Sequence, residues 1–141
     1  MKPGWLRMNS KLERTSRALA VLLLVTGFGH FVLPDPLDAI VPPFLPFEPR
    51  FWTYLSGVAE LVVAVLLLVP AKVKWHGKSI KRFGIWSALL LFVLVYPANI
   101  YMAIDWSDRP FSEAVVAYLR LPLQFGLFYW CWKLLKLSKT A

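Results

Sequence analysis

Cysteine occurs once in the 141 residues, as Cys131. An internal dithiol–disulfide relay therefore has no second thiol to work with, and a transient bond to another molecule is all that this chemistry leaves. Histidine occurs twice, as His30 and His76. One falls near the outer end of an apolar run and the other in a basic connection, so they cannot clamp one haem from both sides or build a multi-histidine metal site. No metal is expected. There is no Walker-type phosphate loop and no glycine-rich dinucleotide fingerprint. A bound organic molecule is the cofactor type left standing. Acidic residues are scarce too, eight against sixteen Lys and Arg.

Apolar residues take up the room. Hydrophobic types make up 58% of the chain and mean hydropathy is +0.57, above the roughly 45–50% apolar usage of soluble domains. Four runs, at about 18–33, 51–69, 83–103 and 114–132, reach or approach the roughly 17–25 residues that a spanning helix needs. The expected fold is all-α: a single domain over 1–141, a polytopic bundle of four transmembrane helices. The first run is short and draws Ser16 and Arg17 towards the interface, where a long side chain can snorkel. Basic residues ahead of an apolar core also describe a signal peptide. No A-x-A-like site follows, and Thr26-Gly27-Phe28-Gly29-His30 stands in its place, so a retained first helix is expected.

Charge sets the expected orientation. Lys2, Arg7, Lys11, Arg14 and Arg17 precede the first run, Lys72, Lys74, Lys78, Lys81 and Arg82 lie between the second and third, and Lys133, Lys136 and Lys139 follow the fourth. Thirteen of the sixteen basic residues thus fall on one side, which the positive-inside rule makes cytoplasmic, with both termini there. The opposite connections, with Asp35, Asp38, Glu48 and Arg50 and then Asp105, Asp108, Arg109 and Glu113, are net acidic. A net charge of +8 is then an orientation signal with attraction to anionic lipid, and no nucleic-acid partner is expected. The outer connection from Pro34 to Arg50 holds six of the eleven prolines. It reads as a stiff cap with one interfacial helical turn near Leu37 to Val41, and with Phe44, Leu45 and Phe47 at the headgroup level. Its plain role is to bridge two helices, and its sharper one is a lid over a cavity. Trp52, Trp106, Trp130 and Trp132 near the predicted boundaries fit interfacial belts better than a cofactor stack.

Against this background Glu60 and Arg120 stand out, because ionisable groups at bilayer depth face a bundle interior and find partners. At about 1.5 Å per residue, His30 and Asn99 lie roughly 5–8 Å from the outer boundary, Arg120 about 10 Å, and Glu60 and Gln124 about 14–15 Å. Thr26 and His30 are four apart, Tyr96 and Asn99 three, and Arg120 and Gln124 four. Thr53, Ser56, Gly57, Glu60 and Ala64 form a small, polar stripe suited to close helix packing. Pro97 and Pro122 fall at the same level, freeing the carbonyls of Val93 and Tyr118 for Arg120 or Gln124 to satisfy. Two readings follow. In one, Glu60 and Arg120 are partners in a structural network. In the other, His30, Glu60, Tyr96, Asn99, Arg120 and Gln124 surround an outward-opening ligand pocket.

Gly29-His30-Phe31 with Pro34, the run Ile40 to Pro46 (IVPPFLP), Ser56 to Leu61 (SGVAEL), Tyr96 to Ala103 (YPANIYMA) and Leu119 to Gln124 (LRLPLQ) resemble the DoxX-type small membrane proteins of bacteria, over nearly the whole chain. The resemblance implies a four-helix membrane bundle in the bacterial cytoplasmic (inner) membrane. It also implies a link to quinone-coupled sulfur oxidation or membrane redox complexes, and in more distant relatives to membrane-protein assembly. A quinone suits the pocket, since His30, Arg120, Asn99 and Tyr96 could donate to its carbonyl oxygens while Glu60 holds or relays a proton. The first expectation is a subunit of a quinone-linked oxidoreductase, working with a redox protein partner. The alternative is a non-enzymatic binding or assembly module for a partner protein or lipid. A third, small-solute transport, would require a homo-oligomer.

Overall fold

A computed structural model describes residues 3–139, so Lys2 of the N-terminal basic cluster lies outside the described residues. The elements are α1 (Gly4–Val32), α2 (Pro34–Asp38), α3 (Pro49–Leu68), a hairpin of β1 (Lys74–Trp75) and β2 (Lys78–Ser79), α4 (Ile80–Asp105) and α5 (Phe111–Lys139). Helices α1, α3, α4 and α5 are each long and apolar enough to cross a membrane. Three of them outrun the apolar runs of the sequence. α1 begins at Gly4 rather than near 18, and α5 runs to Lys139 rather than 132. Hydropathy marks where lipid ends, whereas a helix ends only where its backbone is interrupted, and no proline falls between Gly4 and Val32. At the far end of α5, Lys133 and Lys136 lie over the rings of Tyr129 and Trp132, at 5.1 and 3.8 Å from the ring centroids. The last two turns are thus tied to the interfacial aromatics.

Between α3 and α4 the chain reverses in a two-residue turn. His76 and Gly77 both take positive φ, 49° and 76°, which is the twist that a tight antiparallel hairpin requires. Ser79 then opens α4 by accepting a hydrogen bond from the Arg82 amide.

The main core lies towards this hairpin end. Leu19 and Leu23 of α1, Val63 and Leu67 of α3, Ile85 and Phe92 of α4 and Leu134 of α5 pack there with Cys131. Three glycines set the spacing. A Cβ on Gly84 would come within 2.9 Å of Leu66, one on Gly27 within 3.0 Å of Leu61, and one on Gly57 within 2.7 Å of the His30 Cβ. Helices α3 and α4 therefore touch most closely near the hairpin, while α3 is drawn onto α1 nearer the proline-rich end.

Lys81 departs from its expected place among the free cytoplasmic charges. Its side chain is 0% exposed and its Nζ lies 3.2 Å from Glu13 Oε2. It donates to Ser16 Oγ at 2.9 Å and to the Leu67 carbonyl at 2.6 Å. The Leu67 carbonyl belongs to the last turn of α3, where intrahelical donors run out. Glu13 Oε1 accepts from the Ala71 amide at 2.7 Å. One ion pair, buried at Lys81 and partly exposed at Glu13, thus fastens α1, the end of α3, the following turn and the start of α4.

At the opposite end the proline-rich segment folds over the bundle. The helical turn expected near Leu37 to Val41 lies earlier, at Pro34–Asp38, because a proline at the first helical position is pre-set for helix. Arg50 donates through Nε to Asp38 Oδ2 at 2.7 Å and through a terminal nitrogen to Asp35, while Thr53 Oγ1 donates to Asp38 Oδ1 at 2.6 Å. Beyond this clamp Ile40 packs on Met102 of α4 and Ala117 of α5, flanked by Leu37 and Trp106. The segment is therefore a cap held at both ends.

Burial works to raise the Asp38 carboxyl, but its hydrogen bonds from Thr53 and Arg50 and the Arg50 charge outweigh it and hold the group below the ordinary carboxylate value. A group lowered in this way stabilises the closed cap in full above its open-state value of about 3.9 and loses that contribution as pH falls through the lowered one. Amide exchange over 35–47, corrected for its intrinsic pH dependence, should stay slow from neutral pH to about pH 4 and quicken below it. Exchange that quickens already near pH 6 would contradict this.

Candidate functional site

Between the core and the cap the helices enclose a cavity of about 460 Å³, within the range of about 300–1,000 Å³ usual for small-molecule sites. Its side walls are Leu55, Ser56 and Ala59 of α3 and Leu91, Leu94 and Ala98 of α4, and its roof is Ile40, Val41, Pro42 and Leu45 of the cap. The polar residues in its lining are His30, Asn99 and Arg120, with Trp52, Thr53 and Ser56 of α3.

Arg120 is oriented by a chain of amides. Its Nε donates to Asn99 Oδ1 at 2.9 Å, Asn99 Nδ2 to Gln124 Oε1 at 3.2 Å, and Gln124 Nε2 to the Phe92 carbonyl at 2.7 Å. Pro97 lies inside α4 and Pro122 inside α5 at this level. The Gln124 bond falls one residue before the Val93 carbonyl expected to be freed, so the kinked backbone is supported on that turn by a side chain. With Nε committed, the two terminal nitrogens of Arg120 have no hydrogen-bond or ion-pair partner among the described residues. They are uncommitted donors.

His30 is fixed from its own helix. Its Nδ1 lies 2.8 Å from the Thr26 carbonyl, and since a carbonyl only accepts, Nδ1 carries the proton. Nε2 then faces Glu60 Oε1 at 3.9 Å. A bare Nε2 and a carboxylate would repel, whereas one proton on either makes the contact attractive. Glu60 also accepts a hydrogen bond from Thr26 Oγ1.

Three expectations are corrected here. Glu60 and Arg120, partners in one of the two readings, lie within electrostatic range of one another but form no ion pair within 4 Å among the described residues. The close Gly27–Gly57 approach turns Glu60 onto α1, and α5 packs against α4 and α1 rather than α3. Tyr96 does not line the cavity. A step of three residues from Asn99 swings a side chain about 60° around the helix, and Tyr96 meets Phe125 and Phe128 edge-on at 5.6 and 5.9 Å. Glu60 and Gln124 are not among the lining residues; Glu60 faces His30, and Gln124 accepts a hydrogen bond from Asn99. Of the six residues expected in a pocket, the structure brings His30, Asn99 and Arg120 to its surface.

Of the two roles expected for the proline-rich segment, a bridge between helices and a lid, the structure adds the second, since Ile40, Val41, Pro42 and Leu45 line the cavity. Phe44 and Phe47 do point outward, as expected of headgroup-level aromatics.

No curated protein and no solved structure matches the chain. The model of a family described as "Domain of unknown function (DUF8561)" matches residues 19–135, from the apolar stretch of α1 to the Lys136 turn of α5, with both walls and the roof of the cavity inside the match. The chain belongs to this family, the DUF8561 family.

Proposed function

We propose that the protein is a DoxX-like component of a bacterial cytoplasmic membrane, with both termini inside, which binds a quinone in the capped cavity and serves as an accessory subunit of a quinone-linked oxidoreductase. The observation that carries this reading is the meeting, in a cavity lined mainly by apolar side chains, of two uncommitted Arg120 donors with the His30 ring that faces Glu60. The donor set fits such a ligand: apolar walls for a flat ring, N–H groups for a carbonyl oxygen, and a titratable pair within the same site. A bound quinone would supply two-electron chemistry coupled to protons. Arg120 would orient the ring oxygen and favour negative charge on it, and the Asn99–Gln124–Phe92 chain would keep Arg120 from swinging away. His30 and Glu60 would hold the proton at Nε2 or the facing carboxylate. The cap would keep water from competing for these donors. The excess of Lys and Arg at the hairpin end and termini supports the orientation.

Purification in mild detergent followed by extraction and mass spectrometry tests the reading. Stoichiometric quinone in the native protein, lost in Arg120→Met while the thermal transition persists, is expected. Phospholipid alone in both preparations would replace the redox reading with that of a binding or assembly module.

A further inference from the structure

The cavity has two sides from which a ligand could come, and they are not alike. Towards water stands the cap, in which Ile40 and Pro42 are buried. Ile40 is wedged between the cap ends of α4 and α5, and the Arg50 clamp fastens the other margin. A water-borne ligand would have to break two carboxylate–guanidinium contacts and unpack Ile40 from Met102 and Ala117.

Towards lipid the wall is thin. The cavity is bounded there by side chains of α3 and α4 alone, and two of these, Leu55 and Leu94, are 46% and 67% exposed although they also line it. Helices α3 and α4 are pinned together by Gly84 near the hairpin. Further along, Leu55 and Ala59 of α3 and Leu91 and Leu94 of α4 line the cavity. Leu94 lies eleven residues before the end of α4, roughly 16 Å below it at 1.5 Å per residue, which is the depth of acyl chains rather than headgroups. The polar end, at Asn99 and Arg120, sits higher and directly beneath the cap.

From this asymmetry we infer that the gap between α3 and α4, bounded by Leu55 and Leu94, is a lateral portal. Through it a membrane-dissolved ligand enters head first, seating an oxygen-bearing head against Arg120 and Asn99 and leaving its tail in the bilayer. The ligand class is thus an amphipathic lipid with a compact polar head. A small water-soluble solute has neither the route nor a use for the apolar walls. The inference rests on the cavity alone and holds whatever the head group is.

Cysteine labelling tests it without assuming a ligand, because the native Cys131 is buried and gives a low background. In nanodiscs, which leave both faces open to water, Ala98→Cys and Ala59→Cys should react with a lipid-soluble maleimide and resist a membrane-impermeant one. A cysteine at the exposed turn, Ser107→Cys, should take the impermeant reagent readily. Adding Leu94→Trp should slow the lipid-soluble reagent about tenfold by filling the gap. Adding Asp38→Asn, which loosens the cap, should leave that rate unchanged. Comparable labelling of the cavity cysteines by the impermeant reagent, or indifference to Leu94→Trp, overturns the portal, as does failure of both reagents at both sites. None of these outcomes alters the quinone content found by extraction, so the two readings fail separately.

Discussion

Glu13→Gln should destabilise the folded protein by about 3 kcal/mol, the low end of what removing one partner from a buried ion pair costs, because Lys81 is buried while Glu13 is 22% exposed. The substitution keeps the shape of the side chain and can still accept from the Ala71 amide, but it removes the counter-ion of Lys81, whose side chain is 0% exposed. A buried ammonium would then face only neutral groups, the Ser16 hydroxyl, the Leu67 carbonyl and the new amide. Adding Lys81→Met should recover most of the loss, since both charges are then gone and a methionine of similar length fills the space. Unfolding of the two single variants and the double variant in detergent measures the coupling. Strict additivity would mean that Glu13 and Lys81 do not act as a pair.

Gly57→Ala is expected to have the second large effect, about 1–3 kcal/mol of destabilisation from overpacking. Its new methyl would meet the His30 Cβ at 2.7 Å, Phe31 at 2.8 Å and the Gly27 carbonyl oxygen at 3.1 Å. The Phe31 ring edge can move cheaply. The His30 Cβ and the Gly27 backbone cannot, so α1 and α3 must separate. Because His30 is displaced with them, ligand retention should fall along with stability. Gly126→Ala is the control. Nothing lies within 4 Å of a Cβ there, and alanine gains up to about 1 kcal/mol over glycine in a helix interior. If both substitutions shift the unfolding temperature in the same direction, the close approach at Gly57 is not what limits packing.

Positions that matter most for packing were partly legible in advance. The stripe of Thr53, Ser56, Gly57, Glu60 and Ala64 was read as an interhelical face, and in the fold Thr53, Gly57 and Ala64 are buried on it. Helical periodicity puts such residues on one side whatever the neighbour is. Lys81 was misread for the opposite reason. In a list of charges it looks like its neighbours Lys78 and Arg82, and only the folding of α1 alongside it supplies Glu13 and Ser16 from 65 or more residues away.

The sequence by itself determined that four helices are long and apolar enough to cross a membrane, that stiff proline-rich chain joins the first two, and that ionisable residues lie within apolar runs. Hydropathy, proline and charge act through the residue itself or its immediate neighbours, so they can be read along a line. Only the tertiary structure decided which polar groups meet. Whether Glu60 faces Arg120 or His30 depends on how closely α1 and α3 approach, and that is set by Gly27 and Gly57 on different helices. Whether the proline-rich segment bridges or covers depends on Arg50 finding Asp35 and Asp38, and on Ile40 finding α4 and α5. The cavity belongs to no segment at all. Side chains of α3, α4 and the cap line it together, beyond the close approach of α3 and α4 at Gly84, and helical spacing within any one of these segments cannot express that arrangement.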